Sequence, residues 1–204
     1  MTIGSRSLTI RVVEEHDLEP LARWLTLGLD HIDARWAERL AGLQTMFVAE
    51  LDGRLAGSVS FDVRGEFADM LHLFALGVVP SLQQRGIGKA LIRRVEDEAR
   101  ARGLRGVWLG VADDNYDARR LYDRLGYVQE GEAYTGRWLW RGPDGEEREV
   151  VENIHRMFKR FGPSASLRTG PSTPLRTGPP ASLPPGSPGG AGLGGSGDSP
   201  GAGS

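Results

Sequence analysis

One glycine-rich stretch constrains the fold of this chain more than any other: Gln83-Gln84-Arg85-Gly86-Ile87-Gly88-Lys89. It joins an apolar, strand-like run at 70–79 to an uninterrupted helical pattern at 89–102. The first turn of a helix leaves backbone N–H groups unpaired and carries partial positive charge, so a phosphate binds there readily. Glycine lets the backbone approach a ligand closely, and Arg85 and Lys89 add full charges. The stretch therefore predicts an anion cradle suited to a pyrophosphate.

Two familiar phosphate loops do not fit this spacing. A P-loop has Gly five residues before its Gly-Lys pair and Ser or Thr after it, where this chain has Gln83 and Ala90. A dinucleotide-binding loop needs a third glycine where Leu91 stands. A glycine-rich turn that only starts a helix remains the alternative.

Strand and helix patterns alternate along the first 161 residues. Strand 70–79, helix 89–102 and strand 107–111 form one crossover, so the two strands should be parallel neighbours in an otherwise mostly antiparallel sheet. We therefore expect an α/β fold with a mixed sheet and helices on both faces. The other predicted strands are 8–13, 45–51, 54–63, 133–140 and 147–161, and the other predicted helices begin at Asp17, 33 and 116.

Composition divides the chain into a domain, 1–161, and a tail, 162–204. The tail is mostly Gly, Pro, Ser and Ala with an eight-residue quasi-repeat from Ser166, so we expect it to be disordered. The net charge of −2 leaves no basic field for nucleic acid. There is no cysteine, and no apolar run approaches the ~20 residues that cross a bilayer. We expect a cytoplasmic protein without a membrane partner.

A second motif lies downstream of the glycine loop: Asn115-x-x-Ala118-x-x-Leu121-Tyr122-x-x-x-Gly126-Tyr127. Together with Gln83-x-x-Gly86-x-Gly88 it resembles the GNAT superfamily of acyl-CoA-dependent N-acyltransferases, over nearly all of residues 8–161. The resemblance implies that the parallel strand pair splays apart. It also implies an N-acetyltransferase that passes an acetyl group directly from acetyl-CoA to a primary amine of a small molecule or protein. A non-catalytic acyl-CoA-binding sensor or regulatory module is the alternative.

The same resemblance implies how acetyl-CoA binds. The pyrophosphate would sit on the N–H groups of 85–89, and the pantetheine arm would run along strand 70–79. Gly77 in that strand is typical of a bulge or a close backbone approach, and tight packing against a helix is equally typical. Asn115 would bond the pantetheine or a water, although helix capping alone would explain it. The residues expected to bind the cofactor are Leu76, Gly77, Val78, Gln83, Gln84, Arg85, Gly86, Ile87, Gly88, Lys89, Asn115, Ala118 and Tyr122.

Acyl transfer to an amine needs an oxyanion donor, a proton for the leaving thiolate and a base for the amine. By resemblance, the Val78 N–H is the oxyanion donor and Tyr122 is the general acid. Many relatives have Glu in the central strand where this chain has His72, which suits a base because histidine titrates near neutrality. A structural histidine is an equal alternative, and Glu66 and Asp69 are the carboxylate alternatives.

Two regions are predicted to hold the amine acceptor: the two early helices, which carry Trp24 and Trp36, with their loop at 29–33, and the late hairpin with Trp138 and Trp140. Acidic groups beside aromatic faces suit a cationic amine, although tryptophan is more often part of a core. Asp30, His31 and Asp33 resemble metal ligands, but with no supporting cluster elsewhere we expect no metal site. Exposed parts of the late hairpin could form the interface of a homodimer.

Overall fold

The computed structural model describes residues 7–25, 28–63, 66–141 and 146–162, with the backbone alone for 24–25, 28–31 and 138–141. The predicted tail therefore lies outside the described residues from position 163 onward. Within the described residues the chain forms eight strands and four α-helices. In chain order they are β1 (Leu8–Val12), α1 (Leu18–Leu25), α2 (Gly28–Leu40), β2 (Thr45–Leu51), β3 (Arg54–Asp62), β4 (Leu71–Val78), α3 (Ile87–Ala101), β5 (Gly106–Ala112), α4 (Tyr116–Arg124), β6 (Val128–Gln129), β7 (Tyr134–Arg141) and β8 (Glu147–Arg160).

All of these strands join one sheet in the order β1-β2-β3-β4-β5-β8-β6, with β7 paired to the first half of β8. Every neighbouring pair is antiparallel except β4 and β5, which are parallel. The β4-α3-β5 segment is the predicted crossover. The prediction of an α/β fold with a mixed, mostly antiparallel sheet is confirmed, and the short strand β6 is the one addition to the expected order.

Two helices begin earlier than predicted. Helix α2 begins at Gly28, so the segment 29–33 that was expected to be a loop is helical. Its apolar face starts earlier because Ile32 is fully buried and lies one turn before Trp36. Helix α3 begins at Ile87 because Gly86, at φ +83°, turns the chain in the left-handed conformation directly before it.

Helices cover both faces of the sheet. Helix α3 packs on one face through a buried stripe at helical spacing: Ile87, Leu91, Ile92, Val95 and Ala99. Helices α1 and α2 cover the opposite face of β1–β3, where Leu21 and Ile32 contact Met46 and Val48. Each fully buried aliphatic side chain contributes about 1.5–3 kcal/mol, so this stripe anchors the glycine loop that precedes α3.

A buried ion network attaches α1 to the edge of the sheet. The Arg11 guanidinium on β1 donates to both carboxylate oxygens of Asp17, at 2.7 and 2.8 Å, and to Glu50 on β2, at 2.6 Å. Burial works against the charged form of Asp17, but the hydrogen bonds from Arg11 and from the Glu14 N–H outweigh it and lower the pKa of that carboxyl. The network fixes the angle at which the α1–α2 unit leaves the sheet.

Strands β4 and β5 separate halfway along their length. They are paired from Leu71 opposite Val107 to Leu73 opposite Leu109. Beyond that point β4 continues to Val78 bonded to β3, while β5 continues to Ala112 bonded to β8. The two facing edges are left without a strand between them, so their backbone groups are available to another molecule.

A bulge in β4 accompanies this separation. Ser58 on β3 lies opposite Gly77, but Ser60 lies opposite Phe74, so β4 has one extra residue. Ala75 takes up the distortion at φ +51°, a conformation that costs a non-glycine residue about 1–2 kcal/mol. The irregularity predicted at Gly77 is therefore centred two residues earlier. One extra residue reverses the alternation of side chains along the strand. The side chains at the end of β4 that would otherwise face away from α3 therefore face toward it.

Candidate active site

A groove of about 680 Å³ opens where β4 and β5 separate. Its walls are the end of β4, the glycine loop with the first turn of α3, and one face of α4. Arg85 and Asn115 are exposed and Tyr122 is buried, and none of the three is among the lining residues. The expected cofactor-binding residues that do line the groove are Leu76, Gly77, Val78, Gln83, Gln84, Gly86, Ile87, Gly88, Lys89 and Ala118.

The N-terminus of α3 forms the polar end of the groove. The first helical hydrogen bond joins the Ala90 N–H to the Gly86 carbonyl at 3.0 Å. The N–H groups of 87–89 precede that bond, so they have no acceptor within the helix, and no side chain caps them. The helix dipole adds partial positive charge at the same point. This end of the groove is therefore built to attract an anion.

The backbone of β4 turns its polar groups into the gap at Val78. Hydrogen bonding in an antiparallel pair alternates along each strand. The Val79 N–H donates to the Ala56 carbonyl of β3 at 2.9 Å, so the N–H and C=O of Val78 face the other way, toward the gap. The Val78 carbonyl accepts a hydrogen bond from the Gln83 side-chain amide at 3.2 Å. The Val78 N–H thus faces the space that an extended ligand would occupy.

Helix α4 carries the second sequence motif. Asn115 is its N-cap, because its Oδ1 accepts from the Ala118 N–H at 3.2 Å. Tyr122 lies two turns along, 7% exposed, with its ring centroid 5.9 Å from that of Tyr127. Burial raises the pKa of Tyr122 to about 12, so the phenol is protonated at neutral pH. The Oδ1 of Asn115 caps α4, and Tyr122 is a protonated hydroxyl in the core.

Two arginines of α4 line the groove and were missed by sequence reasoning. Arg120 and Arg124 lie on the same helical face as Asp117 and Leu121, and all four border the groove. Arg120 also pairs with Asp117. The i, i+3, i+4, i+7 spacing of these residues was the available signal, since it puts them on one side of the helix. Together with Lys89 they make the groove cationic.

His72 lies on the sheet face away from α3, at the paired end of β4. Its ring stacks on Trp108 of β5, with centroids 4.0 Å apart and an interplanar angle of 15°. Its Nδ1 lies 3.6 Å from Oδ1 of Asp62 on β3. Six residues separate His72 from Val78, which is roughly 20 Å along a strand at about 3.3 Å per residue. His72 and the Val78 N–H therefore cannot both touch one reacting atom.

The carboxylate alternatives to His72 are both engaged with arginine. Glu66 pairs with Arg156 of β8 at 3.1 Å, and Asp69 pairs with Arg105. Each carboxylate is therefore already occupied by a guanidinium partner. Geometry therefore favours His72 over either of them.

The structure describes only part of the two predicted acceptor regions. The side chains of Trp24, Asp30, His31, Trp138 and Trp140 lie outside the described residues. Trp36 packs against the α1–α2 core cluster, with the Arg39 guanidinium 5.0 Å from its ring centroid. Trp36 is thus partly buried against this cluster.

Comparison with known proteins gives one consistent result. The chain is 32% identical over 100 residues to the [Ribosomal protein bS18]-alanine N-acetyltransferase of Escherichia coli, an alignment that covers 49% of this chain and 64% of that protein. The chain therefore spans less than two thirds of this relative. An N-acetyltransferase from Staphylococcus aureus has the same fold, with a TM-score of 0.62, 17% identity, and coverage of 76% of this chain and 98% of that one.

A second solved structure is similar and was determined with a ligand. The structure of yncA from Salmonella typhimurium with its cofactor acetyl-CoA has a TM-score of 0.58 and 20% identity, covering 78% of this chain and 96% of that one. At these identities the two structures establish the fold alone.

A mixed sheet that splays at a glycine loop, with a cationic groove at the opening, defines this protein as a member of the acetyltransferase fold class. The family model described as "Acetyltransferase (GNAT) family" matches residues 10–127, which is more than half of the chain. The chain belongs to the GNAT family.

Proposed function

We propose that this protein is an N-acetyltransferase that transfers an acetyl group from acetyl-CoA to a primary amine within a ternary complex. The observation that carries the proposal is the groove itself. It joins a helix N-terminus without caps to a strand edge whose Val78 N–H faces the gap. A pyrophosphate fits the first, and an extended amide-bearing arm fits the second.

Each chemical requirement has a residue in the proposed mechanism. The amine nitrogen forms a bond to the thioester carbonyl carbon, and the carbon–sulfur bond breaks. A backbone N–H at the end of β4, that of Val78 in our assignment, donates to the oxygen that becomes negative. Tyr122 donates its hydroxyl proton to the leaving thiolate and regains a proton from solvent before the next turnover. His72 removes the amine proton through a chain of waters, because it lies too far along β4 for direct contact or for a single bridging water.

The proposal is tested by measuring CoA release from acetyl-CoA across amines. The panel contains peptides with an N-terminal alanine, polyamines, lysine peptides and amino-sugar antibiotics. Peptides come first, because the ribosomal-protein relative described above is named for a terminal alanine. We expect turnover with at least one class, and we expect residues 1–161 alone to retain it, since we assign the domain to that range.

Calorimetry with acetyl-CoA separates failure of catalysis from failure of binding. Binding without turnover on the whole panel would support the sensor or regulatory alternative. Absence of both binding and turnover would remove the acyl-CoA proposal altogether.

A prediction follows for the arginines of α4. We propose that Arg120 and Arg124 bind a phosphate of the cofactor, because both border the groove beside Lys89. The double Arg120→Ala, Arg124→Ala variant is expected to raise the Kd for acetyl-CoA about tenfold, the scale of losing one to two exposed charge-assisted hydrogen bonds. The matched control is Arg93→Ala, an exposed arginine of α3 outside the groove, with an expected change below about twofold. Equal effects in the two variants would contradict the assignment.

We further propose a cytoplasmic location and a homodimer formed through the late hairpin. The dimer proposal is supported by β8, whose first half pairs with β7 beyond the point where β5 ends, leaving Val151 48% exposed. Sedimentation equilibrium tests the dimer, and a wholly monomeric chain would exclude it. No helix among the described ranges is long and apolar enough to span a membrane.

A further inference from the structure

His72 is held between two neighbouring strands by two different contacts. Asp62 lies directly opposite it in the β3–β4 ladder, and Trp108 lies directly opposite it in the β4–β5 ladder. The Trp108 ring supports one face of the imidazole, and Phe74 stacks at 5.1 Å between centroids. The Asp62 carboxylate faces the Nδ1 edge at 3.6 Å. The orientation of this ring is therefore set by the sheet.

The two members of the pair differ in exposure. The Asp62 side chain is 8% exposed, whereas that of His72 is 27% exposed. A carboxylate shielded from water acts more strongly on its neighbour than one at the surface. Glu66 and Arg156 pair with each other at 3.1 Å, and Arg160, which lies over the Phe158 ring beside Trp108, pairs with Glu130. Asp62 is thus the carboxylate that acts on His72.

The position of the Asp62 carboxylate favours one tautomer of the His72 imidazole. A carboxylate beside Nδ1 favours the tautomer with its proton on Nδ1, and the lone pair is then on Nε2. The distance of 3.6 Å exceeds a normal hydrogen bond. Such contacts are often long in a ligand-free site and shorten when substrate binds. A neutral ring in this tautomer can accept a proton at Nε2 and hold the resulting positive charge beside Asp62.

We propose that Asp62 is a positioning residue for the reaction: it fixes His72 in the Nδ1–H tautomer and stabilises the imidazolium formed when the amine is deprotonated. The inference rests on the proposed N-acetyltransferase function. In the proton transfer, a chain of waters connects the two groups: the water beside His72 gives a proton to Nε2, and the water beside the attacking amine takes the amine proton. The imidazolium later returns its proton to solvent, so the charges of the pair are restored after each turnover.

The test compares wild type with Asp62→Asn in the full chain. The variant is expected to lower kcat/KM about tenfold, as for other residues that orient a functional histidine. The loss is expected in kcat, with KM within about twofold of wild type, because the pair acts on the proton transfer. The matched control is Asp97→Asn, an exposed carboxylate of α3 that pairs with Arg100, and its kcat should stay within about twofold of wild type.

Nitrogen NMR of the His72 ring gives a readout that does not depend on turnover. The chain has four histidines, and His72→Gln identifies the resonance. At alkaline pH we expect the Nδ1–H tautomer in wild type and a rise of the Nε2–H tautomer in Asp62→Asn. If no amine is acetylated, the proposed function fails, while this measurement still decides whether Asp62 orients the ring.

Three results would overturn the proposal. One is an unchanged tautomer in Asp62→Asn, and another is a loss of kcat/KM that lies entirely in KM, which would make Asp62 merely structural. If Asp62→Asn does not fold, His72→Gln decides. Its kcat must fall at least tenfold, and a kcat near that of wild type removes His72 and with it the role of Asp62.

Discussion

Replacing Tyr122 with Phe lowers kcat by more than tenfold and leaves the Kd for acetyl-CoA nearly unchanged. The change deletes one hydroxyl from a side chain that is 7% exposed, so packing is preserved. A positioned acid contributes about 10²–10⁴-fold to such a step, whereas the groove residues that we propose bind the cofactor remain in place. Steady-state kinetics and calorimetry on the same preparation measure the two quantities. An unaltered kcat would remove Tyr122 from the acid role.

The raised pKa of Tyr122, about 12, sets the expected pH dependence. The protonated phenol is the active form, so loss of this proton cannot reduce kcat until pH approaches 12. Transfer to a thiolate whose acid has a pKa of about 8.5 is then uphill by about 5 kcal/mol. This cost is compatible with catalysis, because it is well below the total barrier of about 16 kcal/mol that corresponds to a kcat on the order of 10 s⁻¹.

Tyr127→Phe is the matched control for this experiment. Tyr127 is also buried, at 2% exposed, and its ring lies next to that of Tyr122, but it follows α4 and its hydroxyl lies near the Glu96 carboxylate of α3. We expect its kcat to stay within about twofold of wild type, since a hydroxyl away from the reacting atoms supplies no proton. Equal losses in the two variants would indicate a packing effect.

Replacing Lys159 with Ala lowers the free energy of unfolding by about 3 kcal/mol. The Lys159 ammonium on β8 donates to both carboxylate oxygens of Glu96 at 2.9 Å, and Glu96, on α3, is 3% exposed. Removing one partner of a buried pair leaves an uncompensated charge, which costs about 3–5 kcal/mol. Arg100 lies 3.7 Å from the same carboxylate and partly compensates its charge. We therefore expect a loss of unfolding free energy at the lower end of this range. Urea denaturation measures it.

Two further variants distinguish the effect of burial on stability from the effect of charge pairing. Arg105→Ala breaks the exposed pair with Asp69, where the arginine side chain is 79% exposed, and should cost at most about 1 kcal/mol. The double Glu96→Gln, Lys159→Met variant removes both buried charges and should be more stable than Lys159→Ala alone. A double variant that is no better than the single one would contradict the argument.

Local sequence patterns predicted the residues of the groove more accurately than those of the acceptor region. The turn at Gly86 and the start of α3 depend on a few adjacent residues, so their chemistry was readable from sequence. Arg120 and Arg124 were missed because their role depends on which face of α4 meets the gap. Segment 29–33 was predicted as a loop because its polar residues concealed Ile32, whose burial against the sheet favours helix.

The glycine stretch at 83–89 by itself determined that a strand, a loop and a helix would present unpaired N–H groups to an anion, because dihedral freedom and helix termini are local properties. Tertiary structure alone decided what surrounds those groups. The separation of β4 from β5 and the bulge at Ala75 direct Val78 into the gap. The β3–β4 register brings Asp62 beside His72, ten positions away in sequence. Such contacts depend on the pairing of strands, which no local pattern encodes.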